Sequence, residues 1–90
     1  MKKVYLIYDI CDNFEEQESN SYLLEVCSSM DVAKSMREQI AEDLAVKNSM
    51  VDNCTTYIEP DSDGNPTVTL RRGNCIISED HLTIEEWTLR

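Results

Sequence analysis

One segment of this chain, from Met30 to Asn48, has clear helical periodicity, and the sequence on both sides of it is typical of β-strands. At about 100° per residue, the apolar side chains of the segment share one arc and its acids fall on the other side. Arg37 falls inside the apolar arc, so we expect its stem to pack and its head to reach an acid at the rim. The arc consists of Met30, Ala33, Met36, Ile40, Ala41 and Leu44.

The ends of this helix carry recognisable signals. Ser28 and Ser29 precede it, and a serine side chain can accept a hydrogen bond from a free amide of the first turn. Asp31 complements the positive end of the helix dipole. We expect the helix to end near Lys47 and Asn48, with asparagine in a left-handed cap.

The remaining segments predict six strands. The first, Val4–Ile10, is apolar on both alternating faces and should lie inside a sheet. A ten-residue acidic connection, residues 11–20, should lead to the second strand, Ser21–Ser28, and the two should form a hairpin. The later strands are Thr55–Glu59, Thr67–Arg71, Cys75–Ser78 and Leu82–Leu89. We therefore predict a single α+β domain over residues 1–90, with a mostly antiparallel sheet packed against one long amphipathic helix in the order ββαββββ.

The charge of the chain limits its partners. Eighteen acids and eight bases give a formal charge of −10 in 90 residues, which argues against direct nucleic-acid binding because that needs a basic surface. The longest apolar stretch, Val4–Tyr8, is far too short to span a bilayer. The N-terminal segment is basic at Lys2 and Lys3, as in a signal peptide, but no signal-peptide cleavage site follows. We therefore expect a cytoplasmic protein without membrane contact.

The cysteines predict no metal or cofactor. Cys11, Cys27, Cys54 and Cys75 lack the short intervals of a zinc or redox motif, and the chain has one histidine. In a reducing cytosol we expect free, mostly structural thiols, although two disulfides would be possible outside it.

The acids themselves are the main candidates for function. From Asp9 to Asp31 the chain carries seven acids and no base, and Glu38 and Glu42 should lie along the outer side of the helix. One interpretation is that the charge only maintains solubility; the other is that the acids form a face that attracts a basic partner. The candidate partner-binding residues are Asp12, Glu15, Glu16, Glu18, Glu38, Glu42, Glu79 and Asp80.

Three other features have a structural and a functional interpretation. Asp61–Asn65 is weakly similar to a calcium loop, but Arg72 stands where a bidentate glutamate is needed, so a hairpin loop is favoured. His81 could be a general base, but no nucleophile accompanies it, and we expect a surface histidine just before a strand. Cys11 lies between Asp9 and Asp12, which oppose thiolate formation. We therefore predict no catalytic residue.

Three motifs resemble a known family. The strand Val4–Tyr8, the segment Leu23–Ser29 leading into a helix with Ala33 early in it, and the closing segment Ile84–Leu89 resemble small uncharacterised α+β proteins of bacteria, their phages and mobile elements. That family has no established activity. The resemblance implies this fold and a phage or mobile-element setting inside a bacterial host.

Size, charge and resemblance together predict a non-catalytic acidic interaction protein. The concrete version is a phage anti-defence inhibitor, such as an anti-CRISPR, that acts as a DNA mimic and blocks a basic nucleic-acid-binding surface of a nuclease or effector complex. The alternative is a small scaffold domain that self-associates, as a homodimer, through a strand edge and whose charge serves solubility only.

Overall fold

A computed structural model describes residues 2–90, so Met1, which the predicted domain includes, lies outside the described residues. The elements are β1 (Lys2–Asn13), β2 (Glu18–Cys27), α1 (Met30–Ser49), β3 (Thr55–Pro60), β4 (Pro66–Arg72) and β5 (Cys75–Leu89). The five strands form one antiparallel sheet in the order β2-β1-β5-β4-β3, and the helix α1 packs against it. The predicted α+β class is confirmed, as is the interior position of the first strand.

The prediction of six strands is wrong, because Cys75–Ser78 and Leu82–Leu89 belong to one continuous strand, β5. The polar residues Glu79, Asp80 and His81 do not interrupt it. Their backbone pairs with β1 on one side and with β4 on the other, so that Asp80, for example, lies opposite both Cys11 and Val68. Polar side chains leave this backbone ladder intact.

The predicted ten-residue connection between the first two strands is also wrong. β1 continues to Asn13, a four-residue turn follows, and β2 begins at Glu18. Gln17 closes the turn with a positive φ of 56°. The extra strand residues are held because β1 pairs with a neighbour on each side. Most of the acidic segment is therefore fixed on paired strands.

The helix begins as predicted and ends later. Ser29 is the N-cap, and its hydroxyl accepts from the amide of Val32 at 3.2 Å. The helix continues to Ser49, and the capping residue Met50 has a right-handed conformation (φ −83°). The prediction of a left-handed cap at Asn48 is therefore wrong.

The predicted partner of Arg37 is also different. Its Nη1 donates to the side-chain oxygen of Asn65 at 2.7 Å, in the loop between β3 and β4, and not to an acid at the rim. The contact ties the middle of the helix to this loop.

The core lies between α1 and the centre of the sheet. One buried group joins Ile7 and Cys27 to Ala33, and a second joins Val68 and Leu82 to Ala41. The two alanines are almost completely buried, and their small side chains let the helix backbone approach the strands closely. Within residues 2–90, no helix has the length and apolarity required to cross a bilayer.

The register divides the sheet into two faces. Ile7 and Ile84 lie opposite each other and pack toward Ala33, so they define the helix side. Side chains alternate along a strand, so Leu6 and Trp87 point to the other side, which we call the open face. Because α1 is the one element outside the sheet in the described part of the chain, and it packs on the helix side, no helix or strand covers the open face.

Candidate functional site

The structure brings six of the eight predicted acids to one end of the sheet. Asp12 lies opposite Glu79, and Asp80 lies opposite Cys11, because β1 and β5 are antiparallel neighbours. The turn between β1 and β2 adds the exposed Glu15 and Glu16. The register of this hairpin also places Glu18 opposite Asn13. We call this group the acidic end: Asp12, Glu15, Glu16, Glu18, Glu79 and Asp80.

The other two predicted acids lie elsewhere. Glu38 and Glu42 are on the exposed side of α1, one turn apart. The helix, and not the sheet, carries them, so they are separate from the acidic end.

His81 lies inside the acidic end, on the open face. Its Nε2 is 3.3 Å from a carboxylate oxygen of Glu79 and 3.7 Å from one of Asp12. Its Nδ1 is 3.2 Å from the hydroxyl of Thr67. The expectation of a surface histidine before a strand is therefore wrong: His81 is a partly buried residue within β5, and when protonated it links two acids of the site.

Few bases compensate the charge of the acidic end. Arg72 approaches Glu15 at 3.4 Å, and both side chains are more than half exposed. Lys3 pairs with Glu86 at 3.2 Å, close to the other end of β5. Among residues 2–90, Glu15 is thus the one acid of this group in an ion pair with arginine or lysine. The acidic end keeps most of its negative field.

On the helix side, the same end holds two neighbouring carboxyl groups, the partly buried Asp9 and the buried Asp80. The pKa of Asp9 is raised to about 7, mainly by burial and then by a hydrogen bond to Asp80 and by the charge of Asp80. No donor within residues 2–90 reaches the buried Oδ1 of Asp9. Asp9 therefore keeps its proton over part of the neutral pH range, with its carboxyl group beside that of Asp80. The sequence places both acids in predicted strands or loops but gives no sign that they meet.

Cys11 lies next to this pair and is a poor nucleophile. Burial raises the pKa of its thiol to about 12, helped by a hydrogen bond to Asp80 and by the charges of Asp80, Asp9 and Asp12. The environment is the opposite of the electropositive one that activates a thiol.

This contrast predicts the order of thiol modification. At pH 8, iodoacetamide should modify the exposed Cys75 much faster than Cys11, because the raised pKa of Cys11 keeps that thiol protonated. Peptide mass spectrometry over a time course measures both rates in one sample. In urea, where the native environment of each thiol is lost, the two rates should be equal. Equal rates in the native protein as well would contradict the assigned environment of Cys11.

The loop weakly similar to a calcium site is a hairpin loop. A carboxylate oxygen of Asp61 accepts from the amides of Asp63 and Asn65, each at 2.9 Å. These backbone hydrogen bonds are the main reason that the pKa of Asp61 is lowered. Gly64 has a positive φ of 83°, as the turn requires. The carboxylate holds its own loop together.

The open face carries an apolar patch that the sequence pattern does not reveal. By strict alternation, Leu23 should lie on the face opposite to Val26. The structure has a bulge at this point, so that Leu23 lies opposite Tyr8 while Val26 lies opposite Leu6, and both face the open side. The bulge therefore gathers leucine and valine on one face. We call the following residues the open-face patch: Leu6, Ile10, Leu23, Val26 and Trp87.

Fold and site together define a two-layer α+β protein whose sheet has an acidic end and an uncovered apolar face. No known protein family matches the chain, and neither a curated protein nor a solved structure is found to be similar to it. The resemblance to small bacterial and phage proteins stays a prediction.

Proposed function

We propose that this protein is a non-catalytic interaction protein whose acidic end binds a basic surface of a nucleic-acid-binding protein. The observation that carries the proposal is the register of β1 and β5. It places Asp12 and the acids of the adjoining turn beside Glu79, whereas the neighbouring Asp80 is buried on the helix side and adds only to the field. A total charge of −10 adds a long-range field of the same sign.

The spacing of these acids suits a polyanion mimic. B-DNA carries closely spaced negative charges, about one per 1.7 Å of helix axis with both strands counted, so a mimic must place carboxylates side by side on one face. Directly opposite side chains such as Asp12 and Glu79 are separated by about 5 Å between Cβ atoms. Carboxylates at such intervals can contact the lysine and arginine side chains that bind a phosphate backbone, and their field accelerates the encounter.

The proposal of binding without catalysis is supported by the two groups most suited to chemistry. His81 is engaged by Glu79, Asp12 and Thr67. The thiol of Cys11 stays protonated at neutral pH because its pKa is raised. Each of them serves the structure of the acidic end.

The concrete form of the proposal is a phage anti-defence inhibitor that works in the cytoplasm of a bacterial host, such as an anti-CRISPR. It would occupy the nucleic-acid groove of a nuclease or effector complex. Support for this form comes from the small size and charge of the chain and from the resemblance to phage proteins.

Two double variants with the same change of charge test the role of the acidic end. Glu16→Lys/Glu18→Lys alters the acidic end, and Glu38→Lys/Glu42→Lys alters the exposed side of α1. None of the four acids pairs with a lysine or arginine within residues 2–90. Retention on immobilised poly-L-lysine should fall roughly 10-fold for the first variant, with a weaker salt dependence, and much less for the second.

Heparin should release the wild-type protein from the same resin, because it competes for the cations. Equal losses for the two variants would show that the charge acts diffusely, which would contradict a site at the acidic end.

The self-associating scaffold is the second candidate, and the position of β2 favours it. β2 is an edge strand of the sheet, and Tyr22, Leu23 and Val26 are each about half exposed. Unpaired edges of this kind can add a strand from a second copy. A dimer whose sedimentation does not change with salt would support this candidate.

A further inference from the structure

We infer that the open-face patch is the docking surface for a cationic amphipathic α-helix of the partner protein. The inference rests on the proposed function, since it names the kind of partner segment that the acidic protein binds. It adds a second, apolar component to the interaction, located on a different part of the sheet from the turn acids.

The exposure of the patch is the first reason. Leu23, Val26 and Trp87 are 53%, 50% and 49% exposed, and Ile10 is 39% exposed. They lie on three adjacent strands of the same face. Leu6, at the centre of these strands, is only 9% exposed because its neighbours surround it. Several exposed apolar side chains gathered on one face mark an interaction site.

The dimensions of the patch suit a helix. β2, β1 and β5 are consecutive, so the patch spans two interstrand spacings, or about 10 Å. This width equals the diameter of an α-helix with its side chains, about 10–12 Å. Along β1, the distance from Val4 to Ile10 is about 20 Å, which corresponds to about 13 helical residues. A helix here would give the sheet a second covering layer, the arrangement that apolar sheet faces require.

The charge around the patch determines the kind of helix. Asp12 and Glu79 lie at one end of the open face, and Glu85 lies within it, directly opposite Leu6. A helix with lysine or arginine beside its apolar stripe would complement these acids. A second copy of this chain would bring the same acids into opposition, and each copy carries a charge of −10. Charge complementarity therefore favours a basic partner over self-association through this face.

Trp87 provides a direct test, since it is the one tryptophan of the chain and lies in the patch. The probe is a synthetic peptide of about 14 leucine and lysine residues with a helical amphipathic pattern. The control peptide has the same composition in a scrambled order. We expect the amphipathic peptide to shift the emission of Trp87 to shorter wavelength and to bind roughly 10-fold more tightly than the scrambled peptide.

A matched pair of variants locates the binding. Val26→Thr changes a half-exposed valine of the patch, and Val46→Thr changes a valine on α1 that is 58% exposed. Threonine suits a strand, so Val26→Thr should fold, and its urea midpoint verifies this. We expect Val26→Thr to weaken binding of the amphipathic peptide roughly 3- to 10-fold and Val46→Thr to leave it unchanged.

Three results would overturn the inference. If both peptides bind equally and the emission of Trp87 stays constant, the acidic surface binds cations without using the patch, and the proposed function survives alone. If neither peptide binds, the proposed function fails too. If the free protein sediments as a dimer that Val26→Thr dissociates, a second copy occupies the patch.

Discussion

Leu82→Ala should lower the free energy of unfolding by about 2–5 kcal/mol, because it removes the apolar contacts of a fully buried leucine and leaves a cavity in the core. Leu82 has no exposed surface and packs with Val68 and Ala41 under the helix. A domain of this length has a total stability of roughly 5–13 kcal/mol, so the variant would lose a large part of it. Urea unfolding followed by circular dichroism measures the loss.

The same substitution near the end of the strand is the control. Leu89 is 47% exposed and also lies in β5. Leu89→Ala should change the stability by only about 0.5 kcal/mol. If the two variants were destabilised equally, the core would not lie under α1 as described.

Asp9→Asn should make the protein more stable above pH 7 and should flatten the dependence of its stability on pH. The pKa of Asp9 rises from an ordinary 3.8 to about 7 on folding. Between these values the folded protein binds a proton that the unfolded chain has lost. The contribution of this proton is therefore complete below pH 3.8 and disappears as the pH rises through 7.

The effect is on the order of 1 kcal/mol at pH 8, less than the full linkage value because Asp9 is only partly buried. The asparagine amide can also donate to Asp80, whose carboxyl group lies beside it. Urea midpoints between pH 4.5 and 8.5 give the profile. Asp52→Asn, at an exposed position, removes the same charge without the pair and should keep the wild-type slope. A profile for Asp9→Asn that runs parallel to that of the wild type would contradict the raised pKa of Asp9.

The helix and most of the β-strands can be predicted from the sequence because each depends on a local pattern of residues. The apolar arc of residues 30–44 and the cap at Ser29 specify α1 without any knowledge of the sheet. One member of the arc, Met36, is nevertheless 38% exposed. Periodicity gives the direction of a side chain but not how far the neighbouring layer extends.

The site depends on register, which the sequence does not show. The meeting of Asp12 with Glu79 requires the long antiparallel pairing of β1 with β5, whose residues are far apart in the chain. The open-face patch requires the bulge beside Leu23, since a shift of one residue exchanges the two faces of a strand. The acids could be identified individually, but which of them are neighbours could not.

The pairing of β1 with β5 has a consequence during protein synthesis. Lys2 lies opposite Leu89 and Ile7 lies opposite Ile84, so the strand made first has its central neighbour among the strands made last. Until β5 has been synthesised, β1 can pair only with β2. The backbone amides and carbonyls along its other edge then have no strand partner. β5 must leave the ribosome before the sheet can close, and pairing between strands so far apart in the sequence makes folding slow.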